Sequence, residues 1–143
     1  MKIITKSEKE TFNLGKKIAK RLKGGEVLAL TGELGAGKTV FAKGVAAGLG
    51  IKKIITSPTF VLMKIYNLPP TTYHLQPNKL VHLDCYRVKS PQEIIDIGAT
   101  EYFKPNAVTV IEWADKIKKI LPKRTLKINF IIKRGDNREI LIK

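Results

Sequence analysis

Three stretches of this chain are continuously apolar and short: Glu26-Val27-Leu28-Ala29-Leu30-Thr31, Leu80-Val81-His82-Leu83-Asp84 and Ala107-Val108-Thr109-Val110-Ile111-Glu112. Runs of that length and kind predict strands buried on both faces. Between them the period changes. Leu14, Ile18 and Leu22, and then Phe41, Val45 and Leu49, recur at four-residue spacing, as on amphipathic helices. Ser7 and Glu10 make the S-x-x-E start signal, so the first helix is predicted to begin at Ser7 and to end at Gly24-Gly25. Gly48 and Gly50 close the second. Ser90-Pro91-Gln92-Glu93 opens a short helix that Gly98 ends. Ala114–Leu121 reads as a basic helix stopped by Pro122. Lys2–Thr5, Ile54-Ile55 and Phe60–Tyr66 are further candidate strands. Leu126, Ile128, Phe130 and Ile132 alternate with Lys127 and Asn129, which predicts a half-exposed strand. Gly135-Asp136-Asn137 turns it back into Arg138–Lys143. Asn67–Lys79, with Pro69, Pro70 and Pro77, is predicted as a loop. Strands alternating with helices predict an α/β fold with a mostly parallel sheet. No repeat or boundary interrupts the pattern, so residues 1–143 read as a single domain.

Charge adds a second theme. There are 27 Lys and Arg against 12 Asp and Glu, a net charge of +15. Clustered cations attract nucleic-acid phosphates. Here they are scattered: Lys16, Lys17, Lys20, Arg21 and Lys23 on one segment, Lys116, Lys118, Lys119, Lys123 and Arg124 on another. An exposed, solvated lysine coat and an anionic partner both fit. One cysteine, Cys85, excludes an internal disulfide and points to a reducing compartment. No apolar run is long enough for a membrane span and none follows the opening charges as a signal peptide. The expected location is the cytoplasm.

Gly32-Glu33-Leu34-Gly35-Ala36-Gly37-Lys38-Thr39 matches G-x-x-x-x-G-K-[ST]. The glycines let the backbone turn so that its N–H groups converge on phosphate oxygens. The following helix directs its first N–H groups at the same place. Lys38 brings positive charge to the β and γ phosphates, and the Thr39 hydroxyl has the length to ligate Mg²⁺. The expected ligand is therefore ATP with Mg²⁺. Such a site needs carboxylates at strand ends, to hold the metal or to orient the attacking water. Asp84 and Glu112 occupy such ends, and the residues alone do not divide the two tasks between them. Ser57-Pro58-Thr59-Phe60 stands where a switch segment would sense the γ-phosphate through Thr59; a plain proline turn with Phe60 in the core is the competing reading. Arg87 suits a phosphate, a partner or solvent. Cys85 reads as a small buried hydrophobe. His82 alternates with Asp84 and shares its side of the strand, where a structural role is expected and tuning of the site is the alternative. His74, in the proline-rich loop, is expected in solvent.

The segments Gly32–Thr39, Ser57-Pro58-Thr59-Phe60, His82-Leu83-Asp84-Cys85-Tyr86-Arg87 and Ile111-Glu112-Trp113-Ala114 occur in an order that resembles the TsaE family, the bacterial ATPases of tRNA threonylcarbamoyladenosine biosynthesis. Thr11-Phe12-Asn13-Leu14-Gly15 is similar to the family's first helix. The resemblance covers essentially the whole chain. It implies a P-loop NTPase fold with a central parallel sheet and flanking antiparallel strands. It implies ATP and Mg²⁺ as ligands, weak hydrolysis by the protein alone, and docking on TsaB and TsaD, which transfer threonylcarbamoyl to tRNA. On this resemblance Thr39 and Glu112 are linked to the metal, and Asp84 is required for activity. Lys38 and Thr59 join Asp84 as catalytic candidates. Leu34, Gly35, Ala36, Gly37, Lys38, Thr39 and Trp113 surround the nucleotide. Arg138, with Arg134 behind it, matches a C-terminal arginine near the nucleotide, and a residue near the base falls around Ser7 or Glu8. Cys85 replaces a larger apolar residue, and the 67–79 loop has no counterpart. The high positive charge leaves direct tRNA contact open. A small-molecule kinase would need an acceptor pocket and an arginine-bearing lid, neither of which is evident. A basic nucleic-acid-binding module with a vestigial nucleotide site is the remaining alternative.

Overall fold

A computed structural model describes residues 1–70 and 77–143. His74 and the middle of the predicted proline-rich loop, residues 71–76, lie outside the described residues. One sheet of seven strands organises the chain: β1 Lys2–Thr5, β2 Val27–Gly32, β3 Met63–Asn67, β4 Lys79–Asp84, β5 Ala107–Glu112, β6 Leu126–Ile132 and β7 Arg138–Ile142. Their spatial order is β1-β7-β6-β2-β5-β4-β3. The four central strands β6, β2, β5 and β4 run parallel, and β7, β1 and β3 add antiparallel edges. The three apolar runs of the sequence are thus the central strands β2, β4 and β5, covered on both faces as their composition requires.

Helices α1 (Glu8–Ala19) and α2 (Lys38–Gly48) cover one face, over Leu28, Leu30, Val108, Val110 and Ile128. The short helix α3 (Pro91–Asp96) and two 3₁₀ segments, Ala99–Tyr102 and Ala114–Ile120, cover Val27, Val81, Leu83 and Ile111 on the other. Each fully buried Leu, Ile or Phe contributes about 1.5–3 kcal/mol through the water it no longer contacts. The second cover is incomplete: Lys127, the partly buried Leu141 and Lys143 line an open groove beside the second 3₁₀ segment.

The predicted caps are present. Ser7 Oγ accepts from the Glu10 N–H at 3.2 Å, and Glu10 reaches back to the Lys6 N–H at 2.6 Å. Ser90 and Glu93 form a capping box, with Pro91 in the first turn.

Several predicted elements differ. The first helix stops at Ala19, so Leu22 lies beyond it, and the residues it buries are Thr11, Gly15 and Ala19. Small side chains are what this contact needs. A Cβ on Gly15 would overlap the Phe41 carbonyl oxygen of α2, and one on Gly44 would overlap the Phe12 carbonyl of α1. The two backbones pack directly on each other. Ile54-Ile55 is not a strand: Ile55 is buried, Ile54 is 83% exposed, and neither joins the sheet. β3 starts at Met63, three residues later than predicted. Phe60 is 83% exposed, under the Arg87 guanidinium at 4.7 Å, and not in the core. Ala114–Ile120 is 3₁₀, broken at Ile117, where a regular helix was expected.

Candidate functional site

The glycine-rich segment joins the end of β2 to the start of α2, at the carboxyl edge of the parallel strands. This is where open α/β sheets hold ligands. Gly32 has φ 138° and packs against the Phe130 backbone of β6, which leaves no room for a side chain. Gly37, at φ 105°, is the residue that caps α2, and no side chain fills the cap. The leading N–H groups of α2 therefore lack the partners a helix interior would supply, and the residues that carry them line a cavity of about 400 Å³. A set of unpaired amide donors at a helix N-terminus is the chemistry an anion requires.

The sequence-predicted residues converge on this cavity. Leu34, Gly35, Ala36, Gly37, Lys38 and Thr39 form its floor and rim. Asp84 and Glu112 enter from neighbouring strand ends, paired in register across β4 and β5. Glu8 arrives from α1, Thr59 from the coil before β3, Trp113 from the end of β5 and Arg138 from β7. Arg138 Nη2 donates to the Gly35 carbonyl at 3.2 Å, and Nη1 holds the preceding turn through Gly135 and Asn137. Arg134 does not line the cavity.

Lys38 Nζ donates to the carbonyls of Gly32 and Glu33 at 2.5 and 2.7 Å, bracing the loop from inside. It also sits 4.0 Å from the Trp113 ring centroid. Trp113 takes a left-handed backbone, φ 57°, uncommon for a bulky side chain. That turn sets its ring against both Lys38 and Tyr86. Burial pushes the Lys38 ammonium below the usual lysine range, and the negative charges of Glu112, Asp115 and Asp84 oppose the shift.

Glu112 is the centre of the carboxylate cluster and is 2% exposed. The Thr39 hydroxyl donates to its Oε1 at 2.5 Å, and His82 Nε2 donates to its Oε2 at 2.7 Å. Ser57 Oγ lies 3.3 Å from the same Oε2 and donates to Asp84 Oδ2 at 2.7 Å. Burial alone would raise the pKa of Glu112; the hydrogen bond and charge of His82, then the hydrogen bonds of Thr39 and Ser57, outweigh it and leave the carboxyl below its usual range. Asp84 Oδ1 accepts the Tyr86 N–H at 2.9 Å, which fixes the carboxylate's orientation.

Two residues do more here than the sequence reading gave them. His82, fully buried, touches the glutamate directly through Nε2, and its Nδ1 has no partner among the described residues. Ser57 bridges both acids. The alternation of His82 with Asp84 was the available signal, but the contact depends on the β4–β5 register. Cys85 is buried, and burial, with the Asp84 charge, pushes its thiol up to about 12. It is an inert space-filler, as its type predicted.

Among the described residues no group of three or more His, Cys, Asp or Glu side chains is placed to hold a metal ion by itself. What the cavity offers is one hydroxyl and one buried carboxylate in contact. That donor set fits a Mg²⁺ that takes its other ligands from phosphates and water. Among the described residues no helix is long and apolar enough to cross a membrane.

The sequence and fold were compared with known proteins. A family model described as threonylcarbamoyl adenosine biosynthesis protein TsaE matches residues 5–140. A "tRNA threonylcarbamoyladenosine biosynthesis protein TsaE" of Treponema pallidum is 39% identical over 142 residues, covering 99% of each chain. The protein of the same description from Bacillus subtilis is 44% identical over 141 residues, covering 95% of this chain and 80% of that one. The crystal structure of YdiB from Bacillus subtilis superposes with a TM-score of 0.79 at 38% identity, covering 99% of this chain and 83% of that one.

Proposed function

The chain belongs to the TsaE family of threonylcarbamoyl adenosine biosynthesis proteins, and from that premise we propose that it binds ATP with Mg²⁺ in the cavity at the end of β2 and hydrolyses it slowly when alone. Its ATPase allows TsaB and TsaD to carry out repeated rounds of threonylcarbamoyl transfer to tRNA in the cytoplasm. The observation that carries this reading is the contact of Thr39 with Glu112, which joins the phosphate loop to the end of β5 beside an uncapped helix.

Each residue then has a task. The α2 amides and Lys38 bind the phosphates. Thr39 and Glu112 would hold Mg²⁺, which supplies charge neutralisation between the β and γ phosphates. His82 fixes the glutamate so that Oε1 stays turned toward Thr39. Asp84, held by Ser57 and the Tyr86 amide, orients a water against the γ-phosphate and receives its proton. Thr59 senses the γ-phosphate from the coil side. Glu8, Trp113 and Arg138 enclose the rest of the nucleotide. Of the hydroxyls lining the cavity, Thr39 and Ser57 are engaged by the acids and Thr11 by Thr5.

The test is reconstitution with purified TsaB, TsaD and tRNA, counting modified tRNA per complex. The parent protein is expected to support many rounds, and Asp84→Asn about one. Equal counts would overturn the coupling. If the protein alone phosphorylates a nucleoside or a sugar at an enzymatic rate, it is a kinase instead.

A further inference from the structure

The open groove on the sheet face opposite α1 and α2 gathers cations from chain segments that are far apart in sequence. Lys118 comes from the second 3₁₀ segment, Lys127 from β6 and Lys143 from the end of β7. All three are exposed. Lys127 and Lys143 are locked side by side, because each backbone N–H donates to the other's carbonyl at 2.9 Å. The groove has a volume of about 320 Å³; Thr31 and Asn129 line its floor beside Ala29, and Ala114, Leu121 and Leu141 give it aliphatic walls. Thr31 and Asn129 are tied together at 2.9 Å, so the floor is preorganised. The single acid lining the groove is Asp115. Among the described residues, ion pairs engage Lys2 and Lys133 through Glu139, and none engages Lys118, Lys127 or Lys143. Lys116, Lys119, Lys123 and Arg124, on the same stretch of chain as Lys118, are exposed but do not line the groove, and Lys116 donates to the Tyr86 carbonyl at 3.3 Å.

We propose that this groove binds the phosphate backbone of tRNA directly, by charge. An unbalanced set of exposed lysines around an open groove offers a phosphodiester chain the point charges it needs at intervals. The net charge of +15 supplies the long-range attraction, and the groove gives it a place. The choice of tRNA among nucleic acids rests on the proposed function; the charge argument does not. The groove and the nucleotide cavity share no lining residue, but they flank one short segment: Glu112 and Trp113 face the nucleotide, and Ala114 and Asp115 face the groove. RNA bound here would leave the phosphate loop accessible.

The test is fluorescence anisotropy of a labelled, unmodified tRNA transcript titrated with the full chain over a range of salt. A triple variant, Lys118→Ala, Lys127→Ala and Lys143→Ala, is expected to bind about tenfold or more weakly, with a salt slope lower by about 2–3. An equal charge removal at the end of α1 and its cap, Lys16→Ala, Lys17→Ala and Lys20→Ala, is expected to change affinity by less than about threefold, since those lysines lie on the opposite face of the sheet from the groove. Equal losses in the two variants would overturn the proposal, as would failure of the parent to bind tRNA. So would a groove variant that keeps tRNA affinity and loses TsaB and TsaD, which makes the groove a protein interface. ATP affinity, measured in parallel, is expected to be unchanged in the groove variant; its absence in the parent would strike the proposed function and not the groove. Should the triple variant fold poorly, Lys118→Ala, which alters no strand, carries the same test with a slope change of about 1.

Discussion

Two regions of this molecule handle charge in opposite ways. At the carboxyl edge of the sheet, Lys38, His82, Asp84 and Glu112 are buried, and each is held by hydrogen bonds to a named partner. Over the outer faces of α1 and the 114–124 segment the cations are numerous and exposed. The number of charges speaks to what the surface attracts; their burial speaks to chemistry, because a charge is removed from water only where something repays the loss of hydration. The difference teaches that a composition of +15 says little about the site, and that the site needs very few of those cations.

Mutations should separate the two regions sharply. The largest effect is expected at Lys38. Lys38→Ala should weaken ATP binding by about 2–4 kcal/mol, the range for losing a charge-assisted contact in a desolvated site. Calorimetric titration measures it, and an unchanged affinity would remove the phosphate-loop assignment. Next come the acids. Asp84→Asn should lower steady-state turnover by about a hundredfold, as for loss of a general base, while the Mg²⁺ effect on ATP affinity persists. Glu112→Gln should abolish that Mg²⁺ effect. The reverse pattern would exchange their roles.

A smaller effect is expected from pH. The Glu112 carboxyl is lowered from its ordinary value of 4.5 in the folded chain, so it contributes stability above pH 4.5 that is lost as pH falls through the lower folded value. Thermal unfolding of the parent should show this acid limb, and Glu112→Gln should lack that increment. Identical acid limbs would mean that the His82, Thr39 and Ser57 contacts do not favour the charged form. Smallest of all is the exposed set: Lys16→Ala, Lys17→Ala and Lys20→Ala together should shift stability by no more than about 0.5 kcal/mol each and leave ATP affinity alone. A large loss of either would erase the contrast between the regions.

The phosphate loop, its carboxylates and the central strands were legible in the sequence because each leaves a local mark: fixed glycines, an apolar run, an acid at the run's end. The contact face of α1 was legible only in part. Leu14, Ile18 and Leu22 gave the visible stripe and do pack against the core, but the fully buried residues are Thr11, Gly15 and Ala19, and residues chosen for smallness carry almost no hydrophobic signal. Ile54-Ile55 has strand-forming side chains, but the slot beside β4 is filled by β3, and an unpaired segment stays coil. Phe60 in the core was one of two even readings of its segment; its exposure against Arg87 follows from the path of the 57–62 coil. The His82–Glu112 contact depends on how β4 registers with β5, a long-range fact that no local window contains.

The glycine contact between α1 and α2 bears on the traffic of nucleotide through the site. A side chain in the way can rotate aside; a carbonyl packed on a facing glycine has nothing to rotate. The wall made by Glu8 and Thr11 on α1 and Lys38 to Val40 on α2 is therefore a fixed jaw. The opposing wall, Ser57 and Thr59, hangs on a coil outside the sheet and is anchored at Ser57 by hydroxyl hydrogen bonds. Segments with few such anchors open first. Of the two walls, the helix pair is the stationary reference and the coil is the one whose position rests on side-chain hydrogen bonds alone at Ser57.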